Sequence, residues 1–177
     1  MKEITRTQLT FGSGQSGPPS TGSCRRTVII GLGNDLVSDD GVGLCVARRL
    51  RQLLDPDEHR VFELAVGGMA LIDHLVGYRS AVIIDAARTG RRPVGTLTRH
   101  RPEDFSNSPR LSSYHTIDLP TALELARQMD ADLPDRIEVF AIEVEDVETI
   151  HEGCTALVEQ SIEPAAREIA RLLNDER

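Results

Sequence analysis

The feature that most constrains this chain is an alternation of two hydrophobic periods that starts at Thr27 and runs almost to the C-terminus. Val28 to Leu32 is a short, β-branched apolar run closed by glycines, the pattern of a strand buried on both faces. Val42 to Leu54 then puts Val42, Cys45, Val46, Leu50 and Leu53 on one face of a helix. Arg60 to Val66 reads as a second strand and Met69 to Val76 as a short helix. Ala81 to Asp85 is a third strand, an apolar run ending in a carboxylate, and Val94 to Arg99 is a fourth. The turn-rich stretch between strands three and four is shorter than the roughly dozen residues a parallel crossover needs, so these two are expected to be antiparallel neighbours. A polar loop over 101–114 follows. Leu119 to Met129 is helical, with Leu119, Ala122, Leu123, Ala126 and Met129 on one face, Asp118 as N-cap and Pro120 in the first turn. Arg136 to Val144 is the fifth strand. Thr155 to Leu173 closes the chain as a helix with Val158, Ile162, Ala165, Ile169 and Leu172 in register, and Pro164 is expected to kink it or to mark a second start.

That order predicts an α/β fold: three layers, α/β/α, around a five-stranded, mostly parallel mixed sheet. In such sheets the sites lie beyond the carboxyl ends of the strands. Residues 1–26 differ in kind. Their run of Gly, Ser, Pro, Thr and Gln buries too little apolar surface to offset ordering entropy, so they read as a flexible leader before a single domain at 27–177.

Composition removes several function classes. The net charge is −8 and aromatic residues are 3% of the chain, which argues against both phosphate tracking and base stacking. Arg88, Arg91, Arg92, Arg99 and Arg101 form a local cluster that reads as solvated surface. No apolar run approaches the roughly 18 residues of a membrane span, and no apolar h-region of a secretory signal is present. Cys24, Cys45 and Cys154 are scattered and odd in number, against a disulfide framework or a structural zinc site. Cys45 is expected to be a buried small hydrophobe. Together these features favour the cytoplasm.

The chemistry-bearing residues sit at predicted strand ends. Gly31-Leu32-Gly33-Asn34 lacks the third glycine of a dinucleotide fingerprint, since Leu36 holds its place. Asp39-Asp40-Gly41 follows, two carboxylates that would suit a helix N-terminus or a metal ion. Asp85 ends strand three, and His115 opens the segment leading into the Leu119 helix. Asp40, Asp85 and His115 all fall where they can converge on one rim. Two carboxylates and an imidazole leave coordination positions open and suit borderline ions such as zinc or nickel. Neither G-x-S-x-G nor H-E-x-x-H occurs, against acyl-serine and thermolysin-like chemistry.

Gly31 to Asn34 with Asp39 to Gly43 resembles the opening motif of the hydrogenase maturation proteases. Val82 to Ala86 is similar to their second motif, and Tyr114-His115-Thr116 before a Leu-rich helix to their third. The resemblance covers Thr27 to about Leu173. It implies an endopeptidase that removes the C-terminal peptide of a nickel-loaded hydrogenase large-subunit precursor, with the substrate's nickel as the recognition element. Carried over position by position, the metal-contacting residues fall on Asp40, Asp85 and His115, with Asp40 and Asp85 also the catalytic carboxylates. Asp40 stands where the family often has Glu, a methylene shorter with the same oxygen ligand. The family's Asp-Gly-Gly-Thr stretch reads here Glu63-Leu-Ala-Val-Gly67-Gly68-Met69, so Gly67 and Gly68 become the substrate-facing turn and Glu63 the stand-in acid. Two other readings are a nucleotide-binding oxidoreductase, with Glu63 as the ribose acid, and a non-catalytic metal-binding maturation chaperone.

Overall fold

The computed structural model describes residues 27–65, 68–105 and 119–175. Five strands form one sheet: β1 (Thr27–Leu32), β2 (His59–Leu64), β3 (Ser80–Ala87), β4 (Leu97–His100) and β5 (Arg136–Glu143). Three helices lie between strands, α1 (Val42–Leu53), α2 (Met69–Leu75) and α3 (Leu119–Gln128), and α4 (Ala156–Asp175) follows β5, with short 3-10 turns at Ser38–Gly41 and Pro102–Phe105. The sheet order is β2-β1-β3-β5-β4; all pairs are parallel except β4 with β5. This is the predicted three-layer α/β/α architecture.

Alternation along each strand divides the core. Ile29, Val82, Ile84, Phe140 and Ile142 face α1 and α4, joined by Val46, Leu50, Val158 and Ile169. Val28, Ile30, Ala81, Ile83 and Val139 face α2 and α3, joined by Leu71, Leu75, Leu123 and Ala126. Each strand of the sheet's centre is therefore apolar on both sides, as the continuous hydrophobic runs required. With almost no aromatic volume, the two cores are filled by branched aliphatic side chains.

The expected pairing of β3 with β4 is not what forms. β5 lies between them, parallel to β3 over Ser80–Ala87 and antiparallel to the four residues of β4. Apolar pattern explains the insertion. β5 carries Val139, Phe140, Ala141 and Ile142, all buried, and needs a partner on each side. β4 is short and bears the half-exposed Thr98 and exposed Arg99, so it suits an edge. The connection from Arg88 to Thr96 is long enough to step over one strand.

Three smaller expectations also shift. Met129 lies one residue beyond α3 and is 73% exposed, not part of the apolar face. α4 runs unbroken through Pro164; the helical donor that Pro164 lacks belongs opposite the carbonyl of Gln160, an exposed residue. Cys45 is only half-buried; its thiol faces that of Cys154, with Arg48 Nη1 at 3.9 Å.

Candidate active site

The chain leaves β1 toward β2 on one side, and β3 lies on the other, so the topological switch point falls between β1 and β3. Their register ends at Gly31 beside Ile84, while β3 continues through Asp85, Ala86 and Ala87 against β5. Asp85 is thus the first residue of β3 with no β1 partner. Alternation places it on the α2–α3 face, in line with Ile83. It is two residues short of the strand end rather than at it.

The segment after β1 folds back over this gap. Gly33 sits at φ +141, and a side chain there would meet the Asp40 carbonyl oxygen at 1.9 Å. Gly43 presses on the Leu32 and Ile84 carbonyls, with an added Cβ at 2.3 and 2.5 Å, and Gly31 on the Gly43 carbonyl at 2.3 Å. The glycines of the opening motif therefore bring the 3-10 turn and the first turn of α1 directly onto the ends of β1 and β3. They leave no phosphate cradle, because the Asp40 carbonyl fills the space over Gly33 and two carboxylates stand at the entry to α1. That geometry disfavours the dinucleotide reading.

Asp39 and Asp40, adjacent in sequence, have separate surroundings. Asp39 is fully buried and does not cap α1, whose N-cap, Gly41, makes no side-chain cap hydrogen bond. Its carboxylate instead accepts from the Thr155 N–H at 2.7 Å, the Asp146 N–H at 3.1 Å, the Glu145 N–H at 3.3 Å and the Thr155 hydroxyl at 3.2 Å. Four donors satisfy a buried carboxylate and fasten the β5–α4 connection to the 3-10 turn. Asp40 is 9% exposed and lies close enough to Asp85 for its charge to act there.

Asp85 is 4% exposed. Burial pushes its carboxyl well above the usual range; the Ala86 N–H, donating at 2.8 Å, works the other way, and the Asp40 charge adds to the rise. A buried acid whose pKa is raised, beside a second carboxylate, is an arrangement suited to moving a proton. Glu143, buried at the end of β5, accepts from the Thr89 and Gly90 N–H groups, each at 2.7 Å, and from the Thr89 hydroxyl at 2.6 Å, which ties the β3–β4 connection to the same rim.

Of the residues singled out from sequence, the fold brings Asp40 and Asp85 together. Gly68 begins α2 at φ 60, ψ −136, a conformation open to glycine. Gly67, His115, Tyr114 and the proposed cap Asp118 lie outside the described residues, as does the leader. Among the described residues no three His, Cys, Asp or Glu side chains are grouped to hold a metal ion. Glu63 is not an open acid: Arg48 Nε and Arg51 Nη1 each reach it at 2.6 Å. Arg88 and Arg99 of the basic cluster are likewise paired, with Glu148 and Glu138, each at 2.7 Å. The roles of Asp39, Thr155 and Glu143 were missed. Only the Asp146-to-Thr149 turn, where Asp146 accepts the Glu148 and Thr149 N–H groups, carries a local signal.

An α/β protein with a buried acid pair at its switch point is the class that fold and site define. A family model for hydrogenase maturation proteases matches residues 44–172, and the chain belongs to that family. It is 26% identical over 155 residues to the hydrogenase 2 maturation protease of Escherichia coli K12, covering 85% of this chain and 92% of that one. The solved structure of the E. coli hydrogenase maturating endopeptidase HybD superposes with a TM-score of 0.72 at 26% identity, over 85% of this chain and 93% of that chain. The HycI maturation protease of Thermococcus kodakarensis shares the fold, with a TM-score of 0.61 at 22% identity over 85% and 93% of the two chains.

Proposed function

We propose that this maturation protease removes the C-terminal peptide of a nickel-loaded hydrogenase large-subunit precursor in the cytoplasm. The observation that carries the reading is the acid pair, Asp40 with Asp85, at the switch point of a chain belonging to this family. In this reading the substrate's nickel is the recognition element, and Asp40, Asp85 and His115 supply its oxygen and nitrogen ligands. Gly67 and Gly68 would be the residues that contact the substrate's peptide in this reading. A nearby dication favours ionised carboxylates, so nickel in the bound precursor would draw Asp85 toward the charged form. Peptide hydrolysis then needs a base to take a proton from the attacking water and an acid to deliver one to the leaving amine. A carboxylate at this rim is suited to both steps.

The test is co-expression with the precursor and measurement of its mass. Wild type should shorten the nickel-loaded precursor and leave the nickel-free form uncut. Asp40→Asn, Asp85→Asn and His115→Ala should fold, with unchanged circular dichroism, and abolish processing. Asn conserves volume and an acceptor oxygen while removing the charge, which separates ligation from packing. Normal cleavage by Asp85→Asn, or efficient cleavage of nickel-free precursor, would overturn the mechanism. A precursor that is bound but never shortened would instead identify a non-catalytic chaperone.

A further inference from the structure

Beside the acid pair, two connecting segments are fastened together. The segment after β1 and the connection from β5 to α4 meet in a single parallel bridge, Val37 with His151. The Ser38 N–H donates to the His151 carbonyl at 2.8 Å and the His151 N–H to the Leu36 carbonyl at 3.1 Å. The Asp39 N–H reaches the Asp146 carbonyl at 3.0 Å, and the Asp39 carboxylate holds Glu145, Asp146 and Thr155 from within. Asp146 in turn fixes the tip by accepting from Glu148 and Thr149. The bridge sets Leu36 alongside Ile150, one residue before each partner. Those two large apolar residues are 56% and 87% exposed.

A buried carboxylate and a bridge hold these two aliphatic side chains at the surface, with Leu36 four residues from Asp40 along the chain. Around them the loop is acidic: residues 145–152 contain Glu145, Asp146, Glu148 and Glu152, and no Lys or Arg. Arg88 pairs with Glu148 at 2.7 Å, and Glu145 and Glu152 are exposed. An apolar centre with an acidic rim is complementary to an apolar segment flanked by basic residues.

We propose that Leu36 and Ile150 form a preorganised docking ledge for the precursor protein, through a surface segment that carries an aliphatic or aromatic side chain between lysines or arginines. This rests on the reading of the chain as a protease of that precursor, and assigns where the substrate's body is held while its C-terminus reaches Asp40 and Asp85. Because the loops are already fixed, binding spends little on ordering them. The ledge contributes to affinity rather than to the bond-breaking step.

The experiment measures the precursor's Kd by titration and, separately, KM and kcat for its shortening. Leu36→Ser with Ile150→Ser should weaken Kd and raise KM at least about tenfold with kcat unchanged, while the melting temperature stays that of wild type. Glu148→Lys with Glu152→Lys should weaken binding further at low salt than at high salt. Binding that depends on the ledge without any shortening would sustain the docking surface and remove the protease reading. Shortening with Kd and KM unaltered in the double serine variant would overturn the ledge and leave the protease reading intact. Two other occupants would also overturn it: tighter binding after removal of residues 1–25, which makes the chain's own leader the occupant, or a wild-type dimer that the serine variant dissociates.

Discussion

Asp39 and Asp40 show how far one residue's identity is from its role. Both are carboxylates in one turn, yet Asp39 satisfies four donors from a loop more than a hundred positions away while the charge of Asp40 acts on Asp85. Local pattern can place an acid at a strand end; it cannot say which of two neighbours is buried, because the donors come from elsewhere in the chain. Glycines are more legible, since each marks a backbone demand. Gly68 is the clearest case: φ 60 with ψ −136 is a region in which a Cβ clashes with its own backbone. Gly68→Ala should therefore cost about 1–3 kcal/mol of unfolding free energy, measured by urea titration. A loss near zero would mean that the turn relaxes to an ordinary conformation.

At the scale of elements the hydrophobic periods were sufficient for every strand and helix, and the strand directions followed from connection lengths. Neighbour relations did not. The short link from β3 to β4 limits direction but not adjacency, and what decides adjacency is how much apolar surface β5 must cover. The loops at the carboxyl rim were opaque for the same reason as Asp39, since their order comes from contacts between distant segments. One of those loops carries its own test. Hydrogen bonds from Thr149, Glu148 and Ser38 hold the Asp146 carboxyl down to about 2. A folded value below the unfolded one, about 3.9, means the contribution is complete above about pH 4 and fades as pH falls through about 2. Asp146→Ala should therefore unfold at a lower temperature than wild type near neutral pH, and the two melting temperatures should converge across that acid window. A gap of constant size down to the lower limit would show that the loop is held by other contacts.

The whole molecule follows from one topological fact: the chain departs from β1 in one direction and builds β3 and β5 in the other. That reversal opens the crevice, and the glycine-lined return after β1 lays Asp40 across it beside Asp85. Strand count and layer order were readable from the order of elements; the crevice was not, because it depends on which strands are neighbours. The convergence of all three expected ligands was not tested by the described residues, because His115 lies outside them. The leader poses the last question at this scale. Both hydrophobic cores are described from residues at or after Val28, with the sheet's central strands apolar on each face and covered by their own helices. Residues 1–26 hold few large apolar side chains, and their Gly, Ser and Pro content makes ordering costly. A chain beginning at residue 26 should then unfold at the same denaturant midpoint and with the same slope as the full chain, a difference below about 1 kcal/mol. It should also process the precursor at the full-length rate, since the hydrogen bonds that fix Asp39, Asp85 and Glu143 come from within residues 86–155. A lower midpoint would mean that the leader packs on the domain. A lower slope with the midpoint unchanged would mean that it adds buried surface and, in proportion, unfolding free energy.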